Sequence, residues 1–563
     1  ALAFDHHADI EVYIHHDERG AAFSALGMAL VTGGAVALVC TSGTALANYF
    51  PAVLEAYYAH VPLIVLSADR PHELRGSGAN QTMDQLKIFG DHVKSFVDAA
   101  PPEALPPAKV TRYLRTLVDR AIGLAIAPPA GPVHLNFPFR KPLAPVPVPD
   151  DIPETLKADE SFFLNGRPDG LPLTHVQRAI IQPNTAQIDS LTAALQAADR
   201  GMIVCGMRCP GGDFPSEVTK LAAVTGLPIF ADAFSGVRFS SPEDSSSAAL
   251  VLGGYETFLA STPSLSPPDL VIHFGAAPLS KNLNHFLSAA HIESRHIIIS
   301  EHGQWADEFH TVNDVLVANP VDVCRQLSTR LADPQPISPW AAQLQKLESK
   351  TWRQIADRKN ETFFEGGIVA DIMRLAPSNH HIYAASSSVV RHIDQFGTPR
   401  TGNLRVYANR GLSGIDGTIA SAIGASEGTG ESVTLMIGDL AFLHDLNSLS
   451  GLLRGHAKLT IILLNNDGGG IFQRLPIREF EPPFKRLFIT PHGLSFHAAA
   501  QLFGLDYHLV DSAEALDAAY QQAFASDASH LIEIACDSTV QERMRLEINA
   551  SLDGNTLEGV EEV

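Results

Sequence analysis

Short apolar runs rich in β-branched residues alternate with helical patterns along almost the whole chain. Glu11-Val-Tyr-Ile-His15, Ala35-Val-Ala-Leu-Val-Cys40, Pro62-Leu-Ile-Val-Leu-Ser67 and Val133-His-Leu-Asn136 read as strands of a first block. Met202-Ile-Val-Cys205, Leu227-Pro-Ile-Phe230, Leu270-Val-Ile-His-Phe274 and His296-Ile-Ile-Ile-Ser300 do so in a second. His381-Ile-Tyr-Ala384, Val433-Thr-Leu-Met-Ile437, Leu459-Thr-Ile-Ile-Leu-Leu464 and Leu531-Ile-Glu-Ile-Ala-Cys536 follow in a third. Strands apolar at successive positions bury both faces, as in parallel sheets covered by helices. The expected fold is therefore α/β, with three doubly wound parallel-sheet domains. Proline-rich stretches at 141–153 and 333–339 cannot continue a helix or a central strand and read as extended linkers. They predict a first domain over 1–148, a linker over 149–174, a middle domain over 175–332, a third domain over 345–545 and a tail over 546–563.

In doubly wound sheets ligands sit beyond the carboxyl ends of the strands. Two such ends in the third block carry polar motifs. The run 433–437 leads into Gly438-Asp439-Leu440, and 459–464 leads into Asn465-Asn466-Asp467-Gly468-Gly469-Gly470. The 27 positions from Asp439 to Asn466 fit one strand, helix and return. A carboxylate and an amide oxygen on neighbouring strand ends are hard ligands for magnesium, which takes few protein groups and completes its shell with phosphate oxygens. The glycines would let backbone approach a diphosphate closely. Each motif alone also reads as an ordinary turn. Glu18 stands after the run 11–15 and before an apolar helical stretch, where an acidic residue also complements the helix dipole.

Composition narrows the field. With 62 acidic against 40 basic side chains the formal net charge is −22, which disfavours nucleic acid and anionic membrane surfaces. Gly20 to Leu54 lacks charged side chains but is broken by glycines, threonines and Pro51, so no membrane span is expected. Cys40, Cys205, Cys209, Cys324 and Cys536 are odd in number and without metal-ligand spacing, and read as reduced thiols of a cytoplasmic protein. The opening Ala-Leu-Ala-Phe-Asp-His-His has neither signal nor transit character and reads as a truncated start.

The Gly-Asp and Asn-Asn motifs at this interval, behind Glu18 in a first block of three, resemble the thiamine diphosphate-dependent decarboxylase type of enzyme. His16-Asp-Glu-Arg-Gly20, Thr41-Ser-Gly-Thr-Ala45, Ser67-Ala-Asp-Arg-Pro71, Gly78-Ala-Asn-Gln81, Gly131-Pro-Val-His-Leu-Asn136 and Asn409-Arg-Gly-Leu-Ser-Gly-Ile-Asp-Gly417 occur in order. With Leu440 where most of the superfamily has glycine, they are similar to the menaquinone-pathway family of 2-succinyl-5-enolpyruvyl-6-hydroxy-3-cyclohexene-1-carboxylate (SEPHCHC) synthases. The resemblance covers nearly the whole chain. It implies a pyrimidine-binding, a middle and a diphosphate-binding domain, in that order, and a transferase that decarboxylates 2-oxoglutarate on thiamine diphosphate and adds the succinyl carbanion to isochorismate. It implies Mg2+ or Mn2+, and a homodimer or dimer of dimers in which one subunit's pyrimidine domain faces another's diphosphate domain.

The same resemblance assigns roles. Glu18 is the catalytic proton carrier on the cofactor's aminopyrimidine. Thr41, Ser42 and Gly43 form a strand-to-helix turn near the cofactor, a turn that could equally cap a helix. Ser387, Ile415, Gly438, Asp439, Leu440, Asn466, Gly468, Gly469, Ile471 and Phe472 bind cofactor, Ile415 as the wedge that bends it. Asp439, Asn466 and Gly468 hold the metal. Arg70, Asn80, Gln81, Lys281, Arg391 and Arg410 bind the anionic substrates, for which planar arginines are suited. Together with the metal, the cations Arg70, Lys281, Arg391 and Arg410 are expected to form one positive cleft within an acidic molecule. Two departures stand out: an initial strand with a Gly-Ser-Arg-Ser-Thr-Pro turn is missing, and Asn282 follows Lys281 where some relatives have arginine.

Overall fold

Parallel pairing of apolar strands organises the computed structural model, which describes residues 1–144, 146, 148–241, 248–289 and 294–552. Three sheets form, and every strand pairing among the described residues is parallel. The first contains β1 (Val36–Cys40), β2 (Leu63–Asp69), β3 (Phe96–Asp98) and β4 (Val133–Pro138), in the order β1-β2-β4-β3. The second contains β5 (Gly201–Cys205), β6 (Ile229–Ala231), β7 (Val251–Leu252), β8 (Leu270–Phe274), β9 (Arg295–Ser300) and β10 (Asp314–Val317), in the order β10-β9-β8-β5-β6-β7. The third contains β11 (His381–Ala384), β12 (Arg405–Tyr407), β13 (Val433–Gly438), β14 (Leu459–Asn465), β15 (Asp506–Val510) and β16 (His530–Ala535), in the order β12-β11-β13-β14-β16-β15. Central strands β5, β8, β11, β13 and β14 are buried at nearly every position, which is why they read as continuous apolar runs.

Eleven of the twelve runs read as strands are strands, with ends shifted by a residue or two. Glu11–His15 is the exception: it takes no part in any ladder, and β1 is an edge strand paired on one side only, with β2. A β-branched run needs a partner to become a strand, and nothing local supplies one. The short strands β3, β7, β10, β12 and β15 are not among the predicted runs; all five sit at sheet edges, where burial no longer demands a continuous apolar run.

By compactness the chain divides into two units. Unit 1 comprises Ala1–Ala179, Asn409–Glu431 and His444–Lys458, and carries the first sheet. Unit 2 comprises Ile180–Ala408, Ser432–Leu443 and the chain from Leu459, and carries the other two sheets. In unit 1 the helices Glu18–Thr32 and Thr418–Thr429 touch through glycines. A Cβ on Gly27 would lie 1.9 Å from the Ser421 carbonyl oxygen, and one on Gly424 would lie 1.8 Å from that of Ser24.

The proline-rich stretch 141–153 holds no helix among its described residues, but the predicted linker 149–174 does, and 333–339 runs into one at its last residue. Helices Glu154–Asp159 and Ser161–Asn165 occupy part of 149–174 and are tied down by Arg115, which donates to the carbonyls of Phe163 (2.9 Å) and Leu164 (2.8 Å). Pro339 begins the 23-residue helix Pro339–Glu361, capped by Ser338; proline suits this first position because its missing N–H would have had no partner there. Pro145 and Pro147 of the first stretch, and 553–563 of the tail, lie outside the described residues; 546–552 belong to the helix Ser538–Leu552.

In unit 2 the strand order of the third sheet reverses between β11 and β13, whose carboxyl ends carry Ser387 and Asp439. That is where a doubly wound sheet opens a crevice. The second sheet reverses between β5 and β8, but there the loops meet: the Ala276 N–H donates to Met207 O at 2.6 Å, and a Cβ on Gly206 would overlap the Ala276 carbonyl.

Candidate functional site

Unit 1 holds Glu18, Thr41, Ser42, Gly43, Arg70, Asn80, Gln81, Arg410 and Ile415; unit 2 holds Lys281, Ser387, Arg391, Gly438, Asp439, Leu440, Asn466, Gly468, Gly469, Ile471 and Phe472.

In unit 1, Asp17 caps the helix Glu18–Thr32 by accepting from the Arg19 N–H, so Glu18 is the first helical residue and is half-buried. Its carboxylate bears on the end of β1. Burial pushes the Cys40 thiol up to about 12, and the Glu18 charge adds to that effect against the Tyr49 hydrogen bond. The Thr41–Gly43 turn follows at once. The helix Thr44–Asn48 has Gly43 (φ 84°) as its N-cap and no side-chain cap, so the capping alternative for Thr41 and Ser42 fails. Their hydroxyls serve a neighbouring segment: Ser42 Oγ donates to Gln81 O (2.9 Å), while Gln81 Nε2 donates to Thr41 Oγ1 (3.2 Å) and Ser42 O (2.9 Å). Arg70 Nε donates to Asn80 O at 3.4 Å. The turn and the segment bearing Asn80 and Gln81 thus form one cluster.

Behind that cluster is a buried network that draws Asp69 and Asn136, from two of the quoted motifs, together with Gln85, Asp98 and Arg75, which no motif marked. The Gly43 N–H donates to Gln85 Oε1 (2.9 Å), and Gln85 Nε2 donates to Asn136 Oδ1 (2.9 Å). Asn136 in turn donates to Asp69 (2.9 Å) and Asp98 (2.8 Å), both of which pair with Arg75. Buried polar chains of this kind hold a turn rigidly. Farther along unit 1, Glu55 accepts from the N–H groups of Gly411 (2.6 Å) and Leu412 (2.7 Å), fixing the stretch between Arg410 and the half-buried Ile415.

In unit 2, Asp439 is 2% exposed at the end of β13. It accepts from the N–H groups of Leu440 (2.6 Å) and Gly468 (2.8 Å). His492 Nδ1 accepts from the Leu494 N–H, so its Nε2 carries the proton donated to Asp439 Oδ2 at 3.2 Å. Burial pushes the Asp439 carboxyl up, and these donors pull it back. A nearby cation would oppose the burial effect in the same way.

Asn466, at the end of β14, donates through Nδ2 to Glu365 Oε1 (2.9 Å), while its Oδ1 is buried with no protein partner among the described residues. An unpaired buried amide oxygen is costly unless something outside the protein meets it. The following glycines are required sterically: a Cβ on Gly468 (φ 132°) would lie 2.0 Å from Ile489 O, and one on Gly469 would lie 2.2 Å from Phe488 O. No group of three or more His, Cys, Asp or Glu side chains is poised to hold a metal among the described residues. A divalent cation here would draw on Asp439, the Asn466 amide oxygen, main chain and phosphate. The residues present fit that need.

Lys281 opens the helix Lys281–Ala289, between Ser280 and Asn282. Ser280 Oγ donates to Glu256 Oε2 (2.6 Å), and Asn282 Nδ2 donates to Glu256 O (2.7 Å). Arg474, which had no motif to mark it beyond following Ile471-Phe472, lies 3.8 Å from Glu256. Burial lowers its pKa, and the positive charges of Arg545 and Arg391 add to the lowering. Arg391 itself donates to Ser387 O, whose residue has φ 76°.

Three families match the chain. Residues 1–88 match the N-terminal TPP binding domain of thiamine pyrophosphate enzymes, 172–384 their middle domain and 388–534 their C-terminal TPP binding domain. The 2-succinyl-5-enolpyruvyl-6-hydroxy-3-cyclohexene-1-carboxylate synthase of Roseiflexus castenholzii is 45% identical over 95% of this chain and 90% of its own length. Enzymes of the same name from Roseiflexus sp. (43% identical, 99% and 94%) and Halobacterium salinarum (41%, 97% and 91%) are similarly close.

Proposed function

The chain belongs to the SEPHCHC synthase family of thiamine pyrophosphate enzymes, and from that membership we propose a transferase of menaquinone biosynthesis acting on 2-oxoglutarate and isochorismate. The observation that carries the catalytic reading is the pairing, on neighbouring strand ends, of buried Asp439 with an Asn466 amide oxygen that lacks any protein partner. When bound, thiamine diphosphate supplies the electron sink for loss of carbon dioxide from a 2-oxo acid.

The protein's own residues position the partners and move one proton. Asp439, Asn466 and the Gly468 main chain would hold Mg2+ or Mn2+, and Gly438, Leu440, Gly469, Ile471, Phe472 and Ser387 would bind the cofactor. Ile415 and the Thr41–Gly43 turn would also bind the cofactor. Glu18 carries on its carboxyl oxygen the proton exchanged with the aminopyrimidine ring. Arg70, Arg391 and Arg410 with Lys281 take the substrate carboxylates, and Asn80 and Gln81 add neutral hydrogen bonds. We assign the working form as a cytoplasmic homodimer or dimer of dimers.

Incubation with 2-oxoglutarate, with and without isochorismate, tests the reaction. Carbon dioxide release should be accompanied by a succinyl adduct only when isochorismate is present. Release unaffected by isochorismate, with no adduct, would make the chain a simple 2-oxo acid decarboxylase. Glu18→Gln should bind thiamine diphosphate but lose turnover by about 100-fold or more, the typical worth of a positioned proton carrier. Retained turnover would remove Glu18 from that role, whereas its loss with cofactor still bound rules out an inactive regulatory subunit.

A further inference from the structure

We infer that Glu365, held by His392, is a positioning residue that turns the Asn466 amide so that its oxygen, not its nitrogen, is presented to the metal. The inference rests on the reading of Asn466 as a metal ligand and goes beyond it to the residues that make it one.

A side-chain amide has two chemically opposite ends, and only the oxygen can ligate a cation. Left alone, Asn466 could offer either. Glu365, 2% exposed, removes the choice: a carboxylate only accepts, so the group facing Oε1 at 2.9 Å must be Nδ2. Oδ1 then points the other way, where it is buried and unpaired.

The carboxylate is itself fixed. Its other oxygen accepts from His392 Nε2 at 2.9 Å. The helices Glu365–Leu375 and Ser388–Phe396 carry these two residues and are in close contact: a Cβ on Gly366 would lie 2.4 Å from Phe396 Cε2. Gln541 anchors the start of the first helix by accepting from the Gly366 N–H at 2.8 Å. Gly470 lies close to the same amide nitrogen: a Cβ there would come within 2.7 Å of Nδ2. The negative charges of both Glu365 and Asp439 help push up the Cys536 thiol, after burial, so the two carboxylates share one neighbourhood.

The helix Ser388–Phe396 also bears Arg391 and follows directly on Ser387, so the hydrogen-bonded chain His392–Glu365–Asn466 joins the β11 end of the crevice to the loop after β14. Outer partners of this kind fix ligand orientation and typically change metal affinity 10- to 100-fold when removed.

The test is Mn2+ binding to the full chain with thiamine diphosphate present, read from the electron paramagnetic resonance signal of free Mn2+, with thermal unfolding recorded on the metal-free protein. Glu365→Leu should weaken Mn2+ binding about 10- to 100-fold. Glu365→Gln should recover most of that loss, because its amide oxygen can accept from Asn466 while its nitrogen donates to the other tautomer of His392. Both replacements are neutral, so the difference between them reports the hydrogen bond and not the charge. Equal affinities in the two would overturn the proposal. Should Glu365→Leu not fold, Asn466→Asp decides: the introduced carboxylate would face that of Glu365, and adding Glu365→Gln should tighten Mn2+ binding in that background. No gain there would also overturn it. Asn466→Ala separates the two levels. Unchanged Mn2+ affinity in Asn466→Ala sinks the ligand reading itself, whereas weakening there with wild-type affinity in Glu365→Leu sinks only the role of Glu365.

Discussion

At Glu427 a carboxylate is asked to sit in the wrong surroundings. It lies on the helix Thr418–Thr429, accepts from Ser24 Oγ at 3.3 Å and is pushed up to about 7, first by burial and then by the neighbouring Glu11 charge. The folded chain therefore keeps this proton after the unfolded chain, with its ordinary value of 4.5, has released it. Stability contributed at this position falls as pH rises from about 4.5 through about 7 and stays low above that. Glu427→Gln should remove the decline and stabilise the protein at pH 8 by on the order of 2 kcal/mol, with little gain at pH 4.5. Thermal midpoints of the two proteins at both pH values check this; an equal offset at each would contradict it. Asp439, raised by the same burial, differs in having three donors and a position where a cation would compensate it.

Among the elements, the pair of helices Glu18–Thr32 and Thr418–Thr429 carries the catalytic candidate at one end and is held at backbone contact by Gly27 and Gly424. Neither helix has a pronounced apolar stripe, because both are buried along most of their length. Gly424→Ala should separate them and cost about 1–3 kcal/mol, as overpacking of a tight core does. Gly211→Ala, which meets nothing within 4 Å, should stay within about 0.5 kcal/mol of wild type in thermal or denaturant unfolding. Equal effects of the two would mean that the helix contact is not tight in solution. The loop after β14 follows the same logic on a smaller scale. Its three glycines read from the chain as freedom for a ligand to approach, yet at Gly468 and Gly469 the close neighbour is the chain itself, at Phe488 and Ile489.

For the whole molecule, the candidate cofactor residues divide between two compact units, with Glu18 and the Thr41–Gly43 turn in one and Asp439, Asn466 and Gly468 in the other. The proposed dimer pairs the first set of one subunit with the second set of another. Light scattering should therefore give a mass of two or four chains of 60.4 kDa, and dilution into monomers should abolish turnover. A fully active monomer would refute the pairing. The net charge of −22 then acquires a narrower meaning, since the proposed anionic substrates would have to be bound by local cations against the overall field. No helix among the described residues is long and apolar enough to cross a membrane.

The chain by itself determined its three parallel sheets, because a strand buried on both faces must be apolar at every position and that pattern is local. It also determined the residue types at the strand ends, from Asp439 and Asn466 to the Thr41–Gly43 turn, because short motifs carry their own chemistry. Only the tertiary structure decided that Glu11–His15 joins no strand ladder among the described residues, that Thr41 and Ser42 serve Gln81 and not a helix end, and that Glu365 sets the face of Asn466. Each of these depends on which groups meet across large separations in sequence, such as the 101 positions between Glu365 and Asn466, and no periodicity records that.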